Sequence, residues 1–297
     1  MMNRPLNTFK VAPVIFIFQL FISMGLNAQS SFGGLALYTL RDDLSVALEK
    51  TLQQVSDEGY DYIEAASYND GKFYGLSPVA FKSLLASMNL KPVSTHQGSV
   101  TLDNADQMIA DVKAAGFTYF VVPVPPMGMF KFDRQTMSMG MNGTPKELLD
   151  ILNVLGEKCH AAGLQLLYHN HDFELKKNEN NIVILDYLLE NTDPKYVNFQ
   201  MDLFWVTKAG VDPLDYFNKY PGRFLIWHVK DMDDKGRFAP VGEGIIDFKR
   251  ILAQKERSGM KYYMVEQDMT FDGLKPLEAV KISHKGLKTF GFDGVQD

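Results

Sequence analysis

From residue 33 onward the chain alternates short apolar runs with longer segments whose apolar residues recur every three or four positions. Short runs of this kind are expected to be buried strands, and the longer periodic segments amphipathic helices. The runs fall at 33–40 (GGLALYTL), 60–67 (YDYIEAAS), 91–98 (KPVSTHQG), 117–125 (FTYFVVPVP), 164–171 (LQLLYHNH), 196–203 (YVNFQMDL), 223–231 (RFLIWHVKD) and 261–268 (KYYMVEQD). The helical pattern covers 44–59, 77–89, 104–116, 144–163, 182–193, 212–222, 247–259 and 276–291. Ser77–Pro78 and Thr144–Pro145 are start signals, a capping side chain followed by a residue with a preset φ, and Gly59 and Gly116 mark helix ends. Eight strand–helix pairs predict an α/β fold, a single-domain (β/α)8 TIM barrel. Strands with little polar alternation suit a parallel sheet covered by helices. A doubly wound sheet would open on a glycine-rich first turn, where this chain has YTLRDDL.

The first 28 residues break the pattern. MMNRPLNTFK carries Arg4 and Lys10 and no acid, VAPVIFIFQLFISMGLNA is almost wholly apolar, and Ala28 precedes Gln29. A basic start, an apolar middle and a small-residue end are the parts of a secretory signal peptide. The reading therefore assigns residues 1–28 to a signal peptide and 29–297 to the barrel. The apolar run only reaches the lower end of a spanning length, and the Leu26–Asn27–Ala28 ending favours cleavage over a retained anchor. An exported, periplasmic location, with no stable membrane insertion after cleavage, is the expectation. Loss of 28 of the 297 residues, with two positive charges, takes the formal charge from −6 to −8. That balance argues against a nucleic-acid partner, which needs a basic surface. Cys159 is the only cysteine, so no internal disulfide is available and stability must come from the core.

In a barrel of this kind the C-terminal ends of the strands form the active-site face. The apolar runs end near Tyr38, Glu64, His96, the uncharged VPVPP, then His169, Asn170 and His171 with Glu174 beyond, Asp202, then His228, Lys230 and Asp231, and finally Glu266 and Asp268. Residues scattered in sequence would thus meet at one mouth. Gathering carboxylates there is costly unless a cation or protons compensate. Carboxylates with a histidine suit Mn2+, Mg2+, Co2+ or Zn2+. His160 and His284 lie within helical segments and read as surface groups. His96 reads equally as a site residue and as a satisfied core histidine, and Glu64 as a structural partner of Lys230 or another base. PVGEGIIDFKRIL (240–252) reads as a turn with Asp247 capping the next helix, rather than as a phosphate loop.

Taken together, HNHDFE (169–174), FQMDLFWVTKAG (199–210), IWHVKDMD (226–233), VGEGIIDF (241–248) and YYMVEQD (262–268) resemble, in order and spacing, the sugar phosphate isomerase/epimerase superfamily of xylose-isomerase-like barrels. The resemblance covers essentially all of the chain after residue 28. It implies a (β/α)8 barrel among ketose epimerases, hydroxypyruvate isomerases, inosose dehydratases and endonuclease IV. It also implies a divalent-metal set of Glu, Asp, His and Glu from strands five to eight. Asp202, His228 and Glu266 correspond to the last three. The chain departs at the first, where Glu174, His169 or His171 takes the place of a glutamate within the strand. That departure counts against the family's two-glutamate epimerase mechanism and leaves a His/Glu pair to move the protons. The exported, HNH-type branch also resembles proteins that act on 3-keto-glycosides by elimination or hydration across the C1–C2 bond.

The expected function is that of a metal-dependent sugar isomerase or epimerase working through an enediolate. A 3-keto-glycoside lyase or hydratase is the alternative on the same scaffold, and a non-catalytic sugar-binding protein a further one. His169 or His171 is the candidate base, an imidazole needing little pKa tuning near neutral pH. Glu266 would serve as metal ligand and proton carrier, and Lys230 would steady developing oxyanion charge. Tyr38, Glu64, His96, Asn170 and Trp205 are the expected sugar contacts, with Trp205 or Trp227 offering a stacking face. A phosphodiesterase like endonuclease IV is disfavoured, because its trinuclear site needs more histidines than a chain with six supplies. No nicotinamide fingerprint is present, so oxidation by this chain is not expected.

Overall fold

The structure, a computed structural model, describes Met1, residues 31–136 and residues 138–295. The predicted signal peptide lies, apart from Met1, outside the described residues. Eight parallel strands close into a barrel: β1 (Gly34–Ala36), β2 (Tyr62–Ala65), β3 (Lys91–His96), β4 (Tyr119–Val122), β5 (Gln165–His169), β6 (Val197–Asp202), β7 (Phe224–Val229) and β8 (Tyr262–Val265). Each strand pairs with its sequence neighbours, and β1 pairs with β8 to close the ring. The doubly wound alternative is thereby excluded. The predicted caps form: Ser77 Oγ accepts from Ala80 N, and Thr144 and Glu147 make a reciprocal capping box. Asp247 accepts from Arg250 N at the start of its helix.

Side chains along a strand alternate between faces, so residues two apart point the same way. The barrel interior therefore comes in layers. Tyr62, Tyr119, Leu167, Ile226 and Met264 form an apolar inner cluster. Two positions further along, β2, β5, β7 and β8 place Glu64, His169, His228 and Glu266. Gly34 lets this lower layer close, because a Cβ there would overlap the Tyr62 ring and the Met264 sulfur. A second, larger shell of Leu, Val, Ile and Phe packs the outer faces of the strands against the helices.

Several elements differ from the sequence reading. The first strand stops at Ala36, and Leu37–Leu40 form a 3-10 turn leading directly into the helix Arg41–Asp57. A short helix, Leu203–Lys208, follows β6 without a loop because the Asp202 side chain caps it. The 247–259 segment divides into Phe248–Leu252 and Lys255–Ser258. Three two-stranded hairpins rise from the C-terminal ends of β2, β4 and β7: Tyr68–Asn69 with Lys72–Phe73, Phe130–Asp133 with Ser138–Met141, and Asp231–Met232 with Phe238–Ala239. His284 is not a surface group. It is buried in the last helix, Pro276–Phe290, with Nε2 donating to the carbonyls of Phe32 and Gly59 and its ring against Phe32 and Tyr60. Helical periodicity cannot separate this inward position from an outward one occupied by the same polar residue. His160 is exposed, as expected.

The glycine loop after β7 is held by Asp231. Its carboxylate accepts from the backbone N–H groups of Met232, Gly242, Gly244 and Ile246. Those N–H groups are therefore taken up internally, and the turn reading of 240–246 holds.

Candidate active site

The strand register assembles the polar layer. Gln200 on β6 lies beside His169 on β5, and Asp202 lies beside His228 on β7. Glu64, at the end of β2, sits next to Ser94 on β3. All six are buried. Glu64 is the hub. One carboxylate oxygen meets His228 Nε2 at 2.7 Å and His96 Nε2 at 2.9 Å, and the other accepts from Ser94 Oγ at 2.7 Å and Gln200 Nε2 at 2.6 Å. Its structural partners are thus histidines rather than Lys230. Gln200 Oε1 accepts from His96 Nε2 at 2.8 Å and from His169 Nδ1 at 2.9 Å. The amide oxygen can only accept, so it assigns the Nδ1–H tautomer to His169. The His169 Nε2 lone pair is left facing Asp202, 3.8 Å from Oδ2.

On the other side, His228 Nδ1 lies 2.8 Å from Glu266 Oε2. Lys230 reaches three carboxylates: Asp202 Oδ2 at 2.9 Å, Glu266 Oε2 at 2.6 Å and Asp268 Oδ1 at 3.1 Å. The contact with Asp202 is ionic but lies off hydrogen-bond geometry, so Oδ2 is a buried oxygen without a hydrogen bond. Asp202 Oδ1 caps the following helix by accepting from Trp205 N. Asp202 N donates to Asn170 Oδ1.

These contacts set the protonation pattern. Burial disfavours the charged ring of His228, but Glu64 and Glu266 outweigh it and hold its pKa at about 10. Burial likewise opposes ionisation of Glu266 and Glu64. Lys230 and His228 nonetheless keep Glu266 well below the usual carboxylate range, and His96 and His228 do the same for Glu64. Burial raises Asp268 to about 6, with Lys230 working against it. His169 and His171 go the other way. Burial pushes both down, aided for His169 by the neighbouring imidazoles and for His171 by the Lys230 ammonium, and His171 falls to about 3. The expectation of an imidazole that needs little tuning is therefore not met. Both rings are neutral at physiological pH because they are buried, with a cationic cluster beside them adding to the effect.

A cavity of about 530 Å3 opens above this layer, lined among others by Tyr38, His96, His169, His171, Trp205, Lys230, Glu266 and Asp268. His171 Nδ1 and Trp205 Nε1 are buried beside it without protein hydrogen-bond partners. The two rings lie 5.5 Å apart. Tyr38 stands at the rim with the Arg41 guanidinium over its ring. Three expected site residues are placed elsewhere. Glu174 is not brought to the carboxylate cluster: its oxygens accept from Tyr168 Oη at 2.7 Å and His171 N at 2.9 Å, and burial raises its pKa to about 8. Asn170 is turned onto the backbone of Asp202. Glu64 lies beneath the cavity floor. Trp227 is a core residue stacked on Phe217. Gln200 was missed by the sequence reading, and its only signal was its place two residues before Asp202, on the same face of β6. Phe130, Phe132, Met139 and Phe238, which also line the cavity, come from hairpins that the apolar pattern did not resolve.

The residues fit a divalent ion. Asp202, His228 and Glu266 each offer a donor atom within 4.8 Å of the others, and His96, His169 and His228 form a second such group. Asp202 Oδ2 has no hydrogen bond, and the His169 lone pair faces it. Mixed carboxylate and imidazole donors suit Mn2+, Co2+ or Zn2+. His169, not Glu174, is thus the fifth-strand side chain that faces the set. The compensating positive charge in the structure comes from Lys230 and protonated His228.

Comparison with known proteins agrees with this architecture. The model of the xylose isomerase-like TIM barrel family matches residues 52–290. Inosose dehydratase from Lacticaseibacillus casei is 29% identical over 138 residues, 39% of this chain and 45% of that protein. Inosose dehydratase from Geobacillus thermodenitrificans is 30% identical over 142 residues, 41% and 47% of the two chains. The matched region thus spans a little under half the length of these curated relatives. A sugar phosphate isomerase/epimerase from Parabacteroides distasonis superposes with a TM-score of 0.74 at 25% identity, covering 89% of this chain and 99% of that one. A closed eight-stranded barrel carrying a buried Asp–His–Glu set at its C-terminal mouth, matched by the family model over most of its length, belongs to the xylose isomerase-like TIM barrel family.

Proposed function

We propose that this protein is a carbohydrate-processing enzyme that removes a proton from the carbon next to a sugar carbonyl. The observation that carries the reading is the juxtaposition, in one cavity, of neutral His171 with an unpaired Nδ1 and a buried carboxylate set neutralised by Lys230 and His228. A base must reach the substrate unblocked, and positive charge must lie where negative charge develops.

Asp202, Glu266, His169 and His228, the last after release of its Nδ1 proton, would hold a divalent metal. When bound, it supplies Lewis-acid polarisation of the substrate carbonyl. His171 accepts the α-proton at Nδ1. Its low basicity rises as negative charge develops beside it in the reacting complex. The Lys230 ammonium, held by Asp268, lies at the cavity wall and steadies that charge. Trp205 donates its indole N–H to a sugar oxygen and offers a ring face. His96, whose ring Nε2 is committed to Gln200 and Glu64, shapes the floor of the cavity.

Return of the proton to the same or a neighbouring carbon gives isomerisation or epimerisation. Loss of a β-substituent gives a lyase. The dehydratase relatives support the second branch, since dehydration also follows abstraction of an acidic α-proton. The test is proton exchange in D2O, followed by NMR with free ketoses and with keto-glycosides, with and without EDTA. Deuterium at the α-carbon that disappears with EDTA is the expected result, and the products separate epimerase from lyase. Metal-loaded protein that exchanges no α-proton in any of these sugars would overturn the reading.

A further inference from the structure

The cavity has two unlike halves. Its floor is titratable and comes from strand ends. Its outer wall is apolar and comes largely from one hairpin, Phe130–Asp133 paired with Ser138–Met141. The register sets Phe130 opposite Met141 and Phe132 opposite Met139. Cross-strand partners share a face, and so do residues two apart, so all four apolar side chains lie on one side. Lys131, Asp133, Ser138 and Gly140 lie on the other. The apolar face is the one turned to the cavity, where Phe130, Phe132 and Met139 join Phe238 and Met269. Phe130 reaches to 6.4 Å from the His171 ring. Phe132 and Met269 remain 44% exposed. Large apolar side chains left in water around a cavity mouth mark a surface that a ligand covers.

The polar half disfavours a phosphorylated sugar. Among the described residues, Lys230 and Arg41 are the only Lys or Arg side chains lining the cavity. Lys230 is held by three carboxylates, and both terminal nitrogens of Arg41 donate, at 2.9 Å, to the carbonyls of Tyr38 and Asp268. A phosphate dianion would also face Glu266 and Asp268. A cavity of this size holds a sugar together with a second group of similar size.

We propose that the substrate is a neutral keto-sugar derivative bearing an apolar substituent, such as an aryl or alkyl glycoside of a keto-sugar, with the sugar over the titratable floor and the substituent against the Phe130–Met141 hairpin. This rests on the reading of the barrel mouth as the sugar site. It makes the hairpin a specificity element rather than a solvent flap.

The test is calorimetric binding of the methyl and phenyl glycosides of one keto-sugar, and of glucose 6-phosphate, to the full-length protein. Burying a phenyl ring is expected to give the phenyl glycoside roughly tenfold or higher affinity than its methyl counterpart. The gap should close in the double variant Phe132→Ser/Met139→Ser and largely persist in Phe132→Leu, with the thermal midpoint of each variant checking its fold. Equal affinity for methyl and phenyl glycosides, tighter binding of the phosphorylated sugar, or no aryl-glycoside binding at millimolar concentration would each overturn the proposal. An aryl preference without α-proton exchange would leave this inference standing and remove the enolisation chemistry instead.

Discussion

At the scale of single residues, the site is organised by groups that do not line the cavity. Glu64 and Gln200 hold three histidines in place through six polar contacts of 2.9 Å or less, counting those between the two residues and to Ser94. A histidine that offers Nδ1 to a metal is oriented through its other ring nitrogen, and such partners commonly contribute 10–100-fold to metal affinity. Glu64→Gln, which keeps the shape but removes the charge beneath His228, is expected to weaken Mn2+ or Zn2+ binding by about that factor. Competition against a fluorescent chelator would measure it. An unchanged affinity would show that His228 is positioned without Glu64.

At the scale of elements, the last helix is fastened to the start of the barrel by His284. Burial lowers its pKa, although the carbonyls of Phe32 and Gly59 and the Glu58 carboxylate pull the other way. Well above the ordinary imidazole value of about 6.5 the ring is neutral in both folded and unfolded chains. As the pH falls through that value, the unfolded chain takes up a proton that the folded chain resists, so stability declines until the lower folded pKa is passed. His284→Gln retains an N–H donor for the carbonyls and removes the titration. The stability of the wild type relative to this variant should therefore fall between pH 7.5 and pH 5 in urea unfolding. A difference independent of pH would remove His284 from the acid sensitivity.

At the scale of the whole molecule, a metal held by the proposed set would tie β5, β6, β7 and β8 together. A ligand that binds only the folded chain stabilises it by mass action, by about 2.7 kcal/mol at a hundred times its dissociation constant. For a barrel of this size that corresponds to a midpoint rise of roughly 5–10 °C. Adding Mn2+, Co2+ or Zn2+ should produce such a rise, EDTA should reverse it, and Asp202→Ala should abolish it. A midpoint indifferent to all of these ions would count against the Asp202–His228–Glu266 set as a metal site.

The alternation of runs and periodic segments determined the barrel, because facing and burial are local properties written with periods of 2.0 and 3.6. The same pattern placed Asp202, His228 and Glu266 at one mouth, since strand ends converge once the ring closes. Which fifth-strand group faces that set was decided only by tertiary structure. His169, Asn170, His171 and Glu174 stand within six positions, and the choice turned on a partner from β6, Gln200, and on Tyr168 drawing Glu174 away. The pairing of Lys230 with three carboxylates, the neutral state of His171 and the burial of His284 were equally beyond the sequence. Each depends on desolvation and on charges brought close from distant strands, which are properties of the assembled barrel rather than of any one segment.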